Sequence, residues 1–518
     1  NMLHCDFIME HEQQHEQRWL ILGIMSLSLI IVMLNNVTLN VALPELTKAL
    51  GTTNTEMQWI MDAYALVFGG TLLTMGALGD RFGRRKALQT GLVMVAGASL
   101  WAALYASSSQ ELIAVRAIMG LGAALVMPAT LSTVIVVFSS EERGKAIGIW
   151  AAMAGIGAPL GLLVGGWAVQ NYDWQMVFFI NIPVIAIALV LGLIYVPESK
   201  DEKEEKLDFL GAILSIAALG SLLYAIIEAP SHGWNSFETL GTFALSALLL
   251  VSFVVVERKS SHPMLPMEFF KNPGFSTGLV AIMLAFFVMF SFMFTQMFHF
   301  QLIRGESPLG AAIRFFPLPF GLMPAAANSD KLVRKFGRNR VVGTGLLLVT
   351  LGMLLFTTVE IETPYWRLAL TFFLLGLGMG LTMAPSTELV MEAIPQDKAG
   401  VGSATNDASR EIGGALGIAI GGSVLNEFYQ REFVLPPGLE GTPGASGFDT
   451  SFAAAIQTGQ ATGNDALLSA AREAFMVGMI NSARVAAIIA ALASIYIFTQ
   501  MPKVNIPITD TTKTSEEE

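Results

Sequence analysis

Along most of this chain the apolar residues do not alternate with polar ones. They run together in long stretches, broken by short segments rich in charge, glycine and proline. Roughly 20 apolar residues in helical form cross the hydrocarbon of a bilayer, so each stretch predicts a spanning helix. Spans are expected near 19–43, 57–79, 87–107, 112–138, 145–169, 177–196 and 208–228, then near 238–256, 275–303, 309–329, 341–359, 366–391, 399–425 and 476–500. The fold class that follows is an all-α integral membrane protein of fourteen spans. Composition agrees: of 518 residues, 53% are hydrophobic and 14% charged, which excludes a soluble multidomain enzyme.

Charge sets the expected orientation. With the N-terminus in the cytoplasm, most Lys and Arg fall in cytoplasmic segments, and the opposite loops hold Lys48, Arg304, Arg431 and Arg472. Both tails, 1–18 and 501–518, are then cytoplasmic, the location is the plasma or inner membrane, and 426–475 is the long external loop. Its Pro436-Pro437-Gly438 and glycines 441–447 predict partial disorder with a short helix. The polar first seventeen residues predict no cleaved leader. A net charge of −11 argues against nucleic acid as a partner, and the one cysteine, Cys5, leaves no disulfide and no cysteine metal site. The expected partners are a small amphiphilic molecule, protons and lipid, with the chain as a monomer.

The chain also repeats itself. Asp80-Arg81-Phe82-Gly83-Arg84-Arg85-Lys86 follows the second span, and Arg334-Lys335-Phe336-Gly337-Arg338-Asn339-Arg340 follows the tenth, with Gly337 lying 254 residues after Gly83. Gly157, Gly161 and Gly165 recur at every fourth position in the fifth span, as Gly413, Gly417 and Gly421 do in the thirteenth. Such a stripe lines one helix face and lets another backbone come close. The expectation is two related six-helix bundles, 19–197 and 275–500, joined by a linker, 198–274, that carries two extra spans. Parallel repeats around a central site are a transporter architecture.

Gly76-Ala77-Leu78-Gly79-Asp80-Arg81-Phe82-Gly83-Arg84-Arg85-Lys86 resembles the loop signature of the major facilitator superfamily. Leu39-Asn40-Val41-Ala42-Leu43-Pro44, Gln58 to Tyr64, Arg116 with Gly120-Leu121-Gly122-Ala123, Ala399 to Ala404, Asn406-Asp407 and Arg410 to Gly414 are similar to its fourteen-span drug/proton antiporter branch. The resemblance implies the major facilitator fold, no cofactor, and multidrug-type efflux of amphipathic or cationic molecules by alternating access. It also implies that Gly76, Asp80, Arg81, Gly83, Arg84 and Arg85 form a conformational latch closing the cytoplasmic ends when the cavity faces outward. Two positions depart from the branch. Asn35 stands where an aspartate is usual, and Leu162 where a proline is expected, with Pro159 about a turn earlier.

A charge at bilayer depth costs about 2.5 kcal/mol or more, so ionisable residues in spans are candidates for function. These are Asp62, Arg116, and Asp407, Arg410 and Glu411, whose spacing puts opposite charges on one helix face. A carboxylate with alternating access loads a proton on one side and releases it on the other, so these residues are the expected proton-coupling set. Asn35, Asn36, Asn40, Tyr64, Gln296, His299 and Gln301 are expected to line the cavity. His11-Glu12-Gln13-Gln14-His15 matches a zinc-protease pattern, but it sits in the polar tail and the following span offers no His, Asp or Glu between Glu16 and Glu45 as a third ligand, so an enzyme is not expected and no metal is assigned. No nucleotide-binding loop occurs. The rival within transport is an exporter dedicated to one metabolite or siderophore.

Overall fold

The computed structural model describes residues 2–200, 208–261, 263–394, 399–439 and 445–503; the side chains of 1–16, 36, 140–141, 143–145, 148, 151–152, 154–156, 158, 399–400 and 446 lie outside that description. In lipid every backbone polar group must be satisfied within the chain, and this chain does so with helices. The long ones are α1 (Met2–Leu50), α2 (Asn54–Phe82), α3 (Arg84–Leu104), α4 (Ser109–Val137), α5 (Ser140–Asn171), α6 (Asn181–Tyr195), α7 (Phe209–His232) and α8 (Phe237–Lys259). They continue as α9 (Pro273–Phe298), α10 (Pro317–Phe336), α11 (Arg338–Phe356), α12 (Tyr365–Glu392), α13 (Ala399–Glu432) and α14 (Asp465–Gln500). Twelve of the described helical segments are long and apolar enough to cross a membrane. Helices α5 and α13, of 32 and 34 residues, occupy the two remaining expected spans.

One packing scheme occurs twice. Helix α2 packs on α4, α1 on α5, α3 on α4 and α6; likewise α10 packs on α12, α9 on α13, α11 on α12 and α14. The glycine stripes explain the closest of these contacts. Gly157 meets Met33, and Gly161 and Gly165 meet Thr38 on α1, while Gly413, Gly417 and Gly421 meet Met283, Phe287 and Ser291 on α9. These are two six-helix bundles, with α7 and α8 as the extra pair. Helix α7 lies against α2 and α13, and α8 packs on the outside of α7 with most of its surface exposed.

The segment between α13 and α14 carries the short helix expected of it, while residues 440–444, where part of the expected disorder falls, lie outside the described residues. Helix α13 runs on to Glu432, α14 starts at Asp465 with Asn464 Oδ1 accepting from Leu467 N–H at 3.0 Å, and a helix spans Phe452–Thr462 between them. The residues 465–475 before the apolar run are small and helix-compatible, so a good cap extends the helix beyond the membrane-length stretch. Ser451 Oγ then donates to Thr52 O at 3.1 Å, and Asn54 N–H donates to Thr450 O at 3.3 Å, fastening this segment to the α1–α2 turn.

Candidate functional site

Inside the first bundle, Arg116 of α4 is 1% exposed. Its Nε donates to Ile60 O at 3.2 Å, its Nη1 to Asn35 O at 3.0 Å, and its guanidinium lies 4.4 Å from the centroid of the Tyr64 ring. Tyr64 OH reaches Val32 O at 3.4 Å. Asn35 is held on both sides: its Nδ2 donates to Ile31 O at 3.0 Å, and its Oδ1 accepts from Asn181 Nδ2 at 2.7 Å. A buried guanidinium is tolerated here because carbonyl oxygens and an aromatic face surround it. Its Nη2 has no partner. Asn181 belongs to this network and was not anticipated; the only signal was an amide at the head of an otherwise apolar run.

Asp62 lies elsewhere. Helix α2 runs antiparallel to α13: Asn54 Nδ2 donates to Asn426 Oδ1 at 3.3 Å, Gln58 lies against Gly422, Ala65 clusters with Ala415 and Ala419, and Gly69 meets Ala408, Glu411 and Ile412. Positions 58, 62, 65 and 69 share one helical face, which brings Asp62 to α13 at the level of residues 415–419. It is fully buried, and both carboxylate oxygens lack a hydrogen-bond partner, as do both amide atoms of Gln58 one turn away. From the other side of this interface Glu411 extends its charge to Tyr64 and Arg116. Residues from α2, α4 and α13 thus come together between the bundles, as the sequence could not show.

Asp407 and Arg410 pair with each other at 3.3 Å along α13, and Arg410 also lies 5.7 Å from the centroid of Phe286. Of the expected cavity residues, Gln301 joins the bundles, its Nε2 donating to Val41 O at 2.9 Å. His299 is fully buried beside Phe300 and Phe356, with Nδ1 3.3 Å from Gln296 Oε1. It sits where α9 widens into a π-helical turn over His299–Ile303. Asn40 is buried, and the side chain of Asn36 lies outside the described residues. So does the His11–His15 motif; among the described residues no group of three metal-ligating side chains forms.

At the far end of α2, Gly83 turns the chain with φ +119°, and Arg84 Nε pairs with Asp80 Oδ1 at 2.7 Å. Arg84 N–H donates to Ser199 O at 2.9 Å, and Arg85 binds Val196 O at 3.3 Å and approaches Glu198 at 3.9 Å, so the turn is docked on the segment after α6. Arg81 lies over Phe82, and Gly76 packs on Pro128 of α4.

Comparison with known proteins agrees with this geometry. The family model of the Major Facilitator Superfamily matches residues 25–418. The chain is 32% identical over 464 residues to the methyl viologen resistance protein SmvA of Salmonella typhimurium, covering 89% of this chain and 93% of that one. It is 31% identical to the multidrug efflux pump LfrA of Mycolicibacterium smegmatis, covering 92% and 95%. Among solved structures, a bacterial homologue of the human lysosomal transporter Spinster, inward-facing and unoccupied, superposes with a TM-score of 0.67 at 16% identity over 94% of this chain and 98% of that one. The xylose transporter XylE of E. coli gives 0.54 at 14% identity over 95% and 98%. A repeated six-helix packing scheme and these relatives place the chain in one family: it is a multi-pass membrane transporter of the major facilitator superfamily.

Proposed function

We propose that this chain is a proton-coupled exporter of amphipathic or cationic small molecules, a monomer in the plasma membrane with both tails in the cytoplasm. The observation that carries this reading is Asp62: a fully buried carboxyl group with no hydrogen-bond partner, at the seam between the bundles. A permanently ionised carboxylate is costly in such a place, whereas one that gains and loses a proton as the seam opens couples ion movement to conformation. The relatives named for multidrug efflux and for resistance support export of foreign compounds.

The bundles 19–197 and 275–500 rock about the linker 198–274. The hydrogen bonds joining them gather at the α1–α2 turn, which supports a conformation closed at that end. Substrate enters from the cytoplasm, Asp62 gives up its proton to that side or takes one from the other as the seam alternates, and Arg116 with Glu411 balances the charge. The Asp80 turn closes the cytoplasmic ends in the opposite state. Asn35, already bonded to Asn181 and Arg116, adds no negative charge. Neutral and weakly charged amphiphiles are therefore handled better than dications, and Asn35→Asp extends the range toward cations.

Cells with and without the gene, grown against a panel of toxic amphiphiles, test the reading: tolerance to several unrelated compounds is expected to rise. A gain for one metabolite alone points instead to a dedicated exporter, and no gain for any compound contradicts efflux. Reporters fused after Lys86 and Lys206 are expected to read cytoplasmic, and one within 436–447 external.

A further inference from the structure

The two helices between the bundles meet at a site that the efflux reading does not use. Helix α7 begins after Asp208, whose Oδ1 accepts from Gly211 N–H at 2.7 Å and caps it. Beside it, in the last turn of α8, Glu257 is 2% exposed, and its Oε2 accepts from Leu265 N–H at 2.9 Å. The other oxygens, Glu257 Oε1 and Asp208 Oδ2, are buried and accept from no donor among the described residues. They converge on one point. A β-carbon on Gly211 would collide with Glu257 Oε1 and lie 3.0 Å from Asp208 Oδ2, so the two oxygens face the same small space. Glycine at 211 is what leaves room for them.

Two ionised carboxylates facing each other in a confined site repel, and neither of the facing oxygens has a donor among the described residues. One proton between them removes both problems, as in carboxyl dyads generally. The N-terminus of α7 favours one remaining negative charge but not two carboxylates in contact. Among the described residues no cation does this work: Arg258 and Lys259, next on α8, are exposed, α7 presents no titratable group near its start, and on the α2 side Thr74 bonds Met264 of the same strap; Lys203 and Lys206, which precede Asp208, lie outside the described residues. Between Ser260 and Pro266 the one titratable residue, His262, lies outside the described residues.

We infer that Asp208 and Glu257 form a proton-binding pair, one carboxylic acid donating to one carboxylate, that clasps the end of α8 to the start of α7. The clasp also holds the strap between α8 and α9. Leu265 is bonded to Glu257, and its neighbour Met264 takes the Thr74 hydroxyl on its sulfur at 3.0 Å. Thr74 stands six residues before Asp80. Loss of the proton takes the pair from one negative charge to two, separates the helix ends and frees the strap from the end of α2 that carries the Asp80 turn. The ligand is thus a proton, at a place distinct from Asp62 and independent of it.

Infrared difference spectroscopy of the full-length protein across neutral to mildly alkaline pH reads the pair directly. A carboxylic-acid C=O band is expected that disappears on alkalinisation, is absent in Glu257→Gln and in Asp208→Asn, and survives in Asp62→Asn. In a Cys5→Ala background, a spin label at Ser261→Cys is expected to gain mobility over the same pH interval. In Glu257→Gln, whose amide donates to Asp208 without titrating, the label is expected to stay restrained throughout. An acid band untouched by both Glu257→Gln and Asp208→Asn overturns the shared proton. A label with the same pH response in the parent and in Glu257→Gln overturns the clasp.

Discussion

The turn between α2 and α3 and the turn between α10 and α11 start from the same sequence pattern and end with different ionic partners. Both bend at a glycine with positive φ, +119° at Gly83 and +88° at Gly337. In the first, the acid paired to the arginine is Asp80, four residues back at the end of α2 and 41% exposed. In the second, the matching arginine, Arg338, is 1% exposed and reaches across to α12, where it meets Glu388 at 3.0 Å and Glu392 at 2.7 Å. The second turn is a fixed staple within its bundle. Asp80, at 41%, is no more exposed than Glu388 and Glu392, at 51% and 52%; the difference lies in the arginine, since Arg84 turns back to its own loop where Arg338 reaches a second helix. On the latch reading proposed above, this divergence leaves a holding role to Arg338 and a switching role to Asp80.

The largest effect is expected at the staple. Arg338→Ala leaves two carboxylates without their buried partner and is expected to cost about 2 kcal/mol, a charged hydrogen bond's worth, seen as a lower unfolding temperature of the purified protein. An unchanged transition would remove the contrast between the turns. Asp80→Ala is expected to act on rate instead: turnover falls about tenfold, corresponding to about 1.4 kcal/mol on conformational exchange, while substrate affinity stays near the parent value. Equal turnover in the two proteins would refute the latch. A methyl group is more costly at Gly83 than at Gly337, because at Gly83 it meets the Glu198 carboxylate, and at Gly337 the nearest atom is Asn339 Oδ1 at 3.5 Å. Positive φ alone costs each alanine about 1–2 kcal/mol, so Gly83→Ala should unfold at the lower temperature of the pair. The smallest effect belongs to Asp330→Ala, which breaks an ion pair whose members are 57% and 64% exposed; a stability change within about 0.5 kcal/mol is expected by denaturation.

Much of this architecture was legible in the chain. Apolar runs located the helices, and the glycine stripes foretold which faces would meet, because close backbone approach requires small residues at every fourth position. Helix ends were less legible: α13 and α14 outrun their apolar cores, since caps and small polar residues carry helix into water where hydropathy is silent. The site was legible in its parts and not in its grouping. Asp62, Arg116 and Glu411 stand out as charges in apolar runs, but that Arg116 rests on Tyr64 and Asn35, while Asp62 turns to α13, depends on how α2 is rotated between two neighbours. Gln58 and Arg338 stood within recognisable motifs, but nothing in those motifs named their neighbours, and Asn181 carried no signal beyond an amide at the head of an apolar run. Only packing gives each its partner or leaves it without one.

Proton release from vesicles reconstituted with the protein, on addition of an exported amphiphile, tests the central claim that the seam carboxyl couples proton to substrate. The parent is expected to exchange protons with substrate, and Asp62→Asn, folded and in the membrane, to lose both this exchange and gradient-driven efflux. If Asp62→Asn exchanges protons at the parent rate, the coupling carboxyl is not Asp62, and the account of the α2–α13 seam is contradicted.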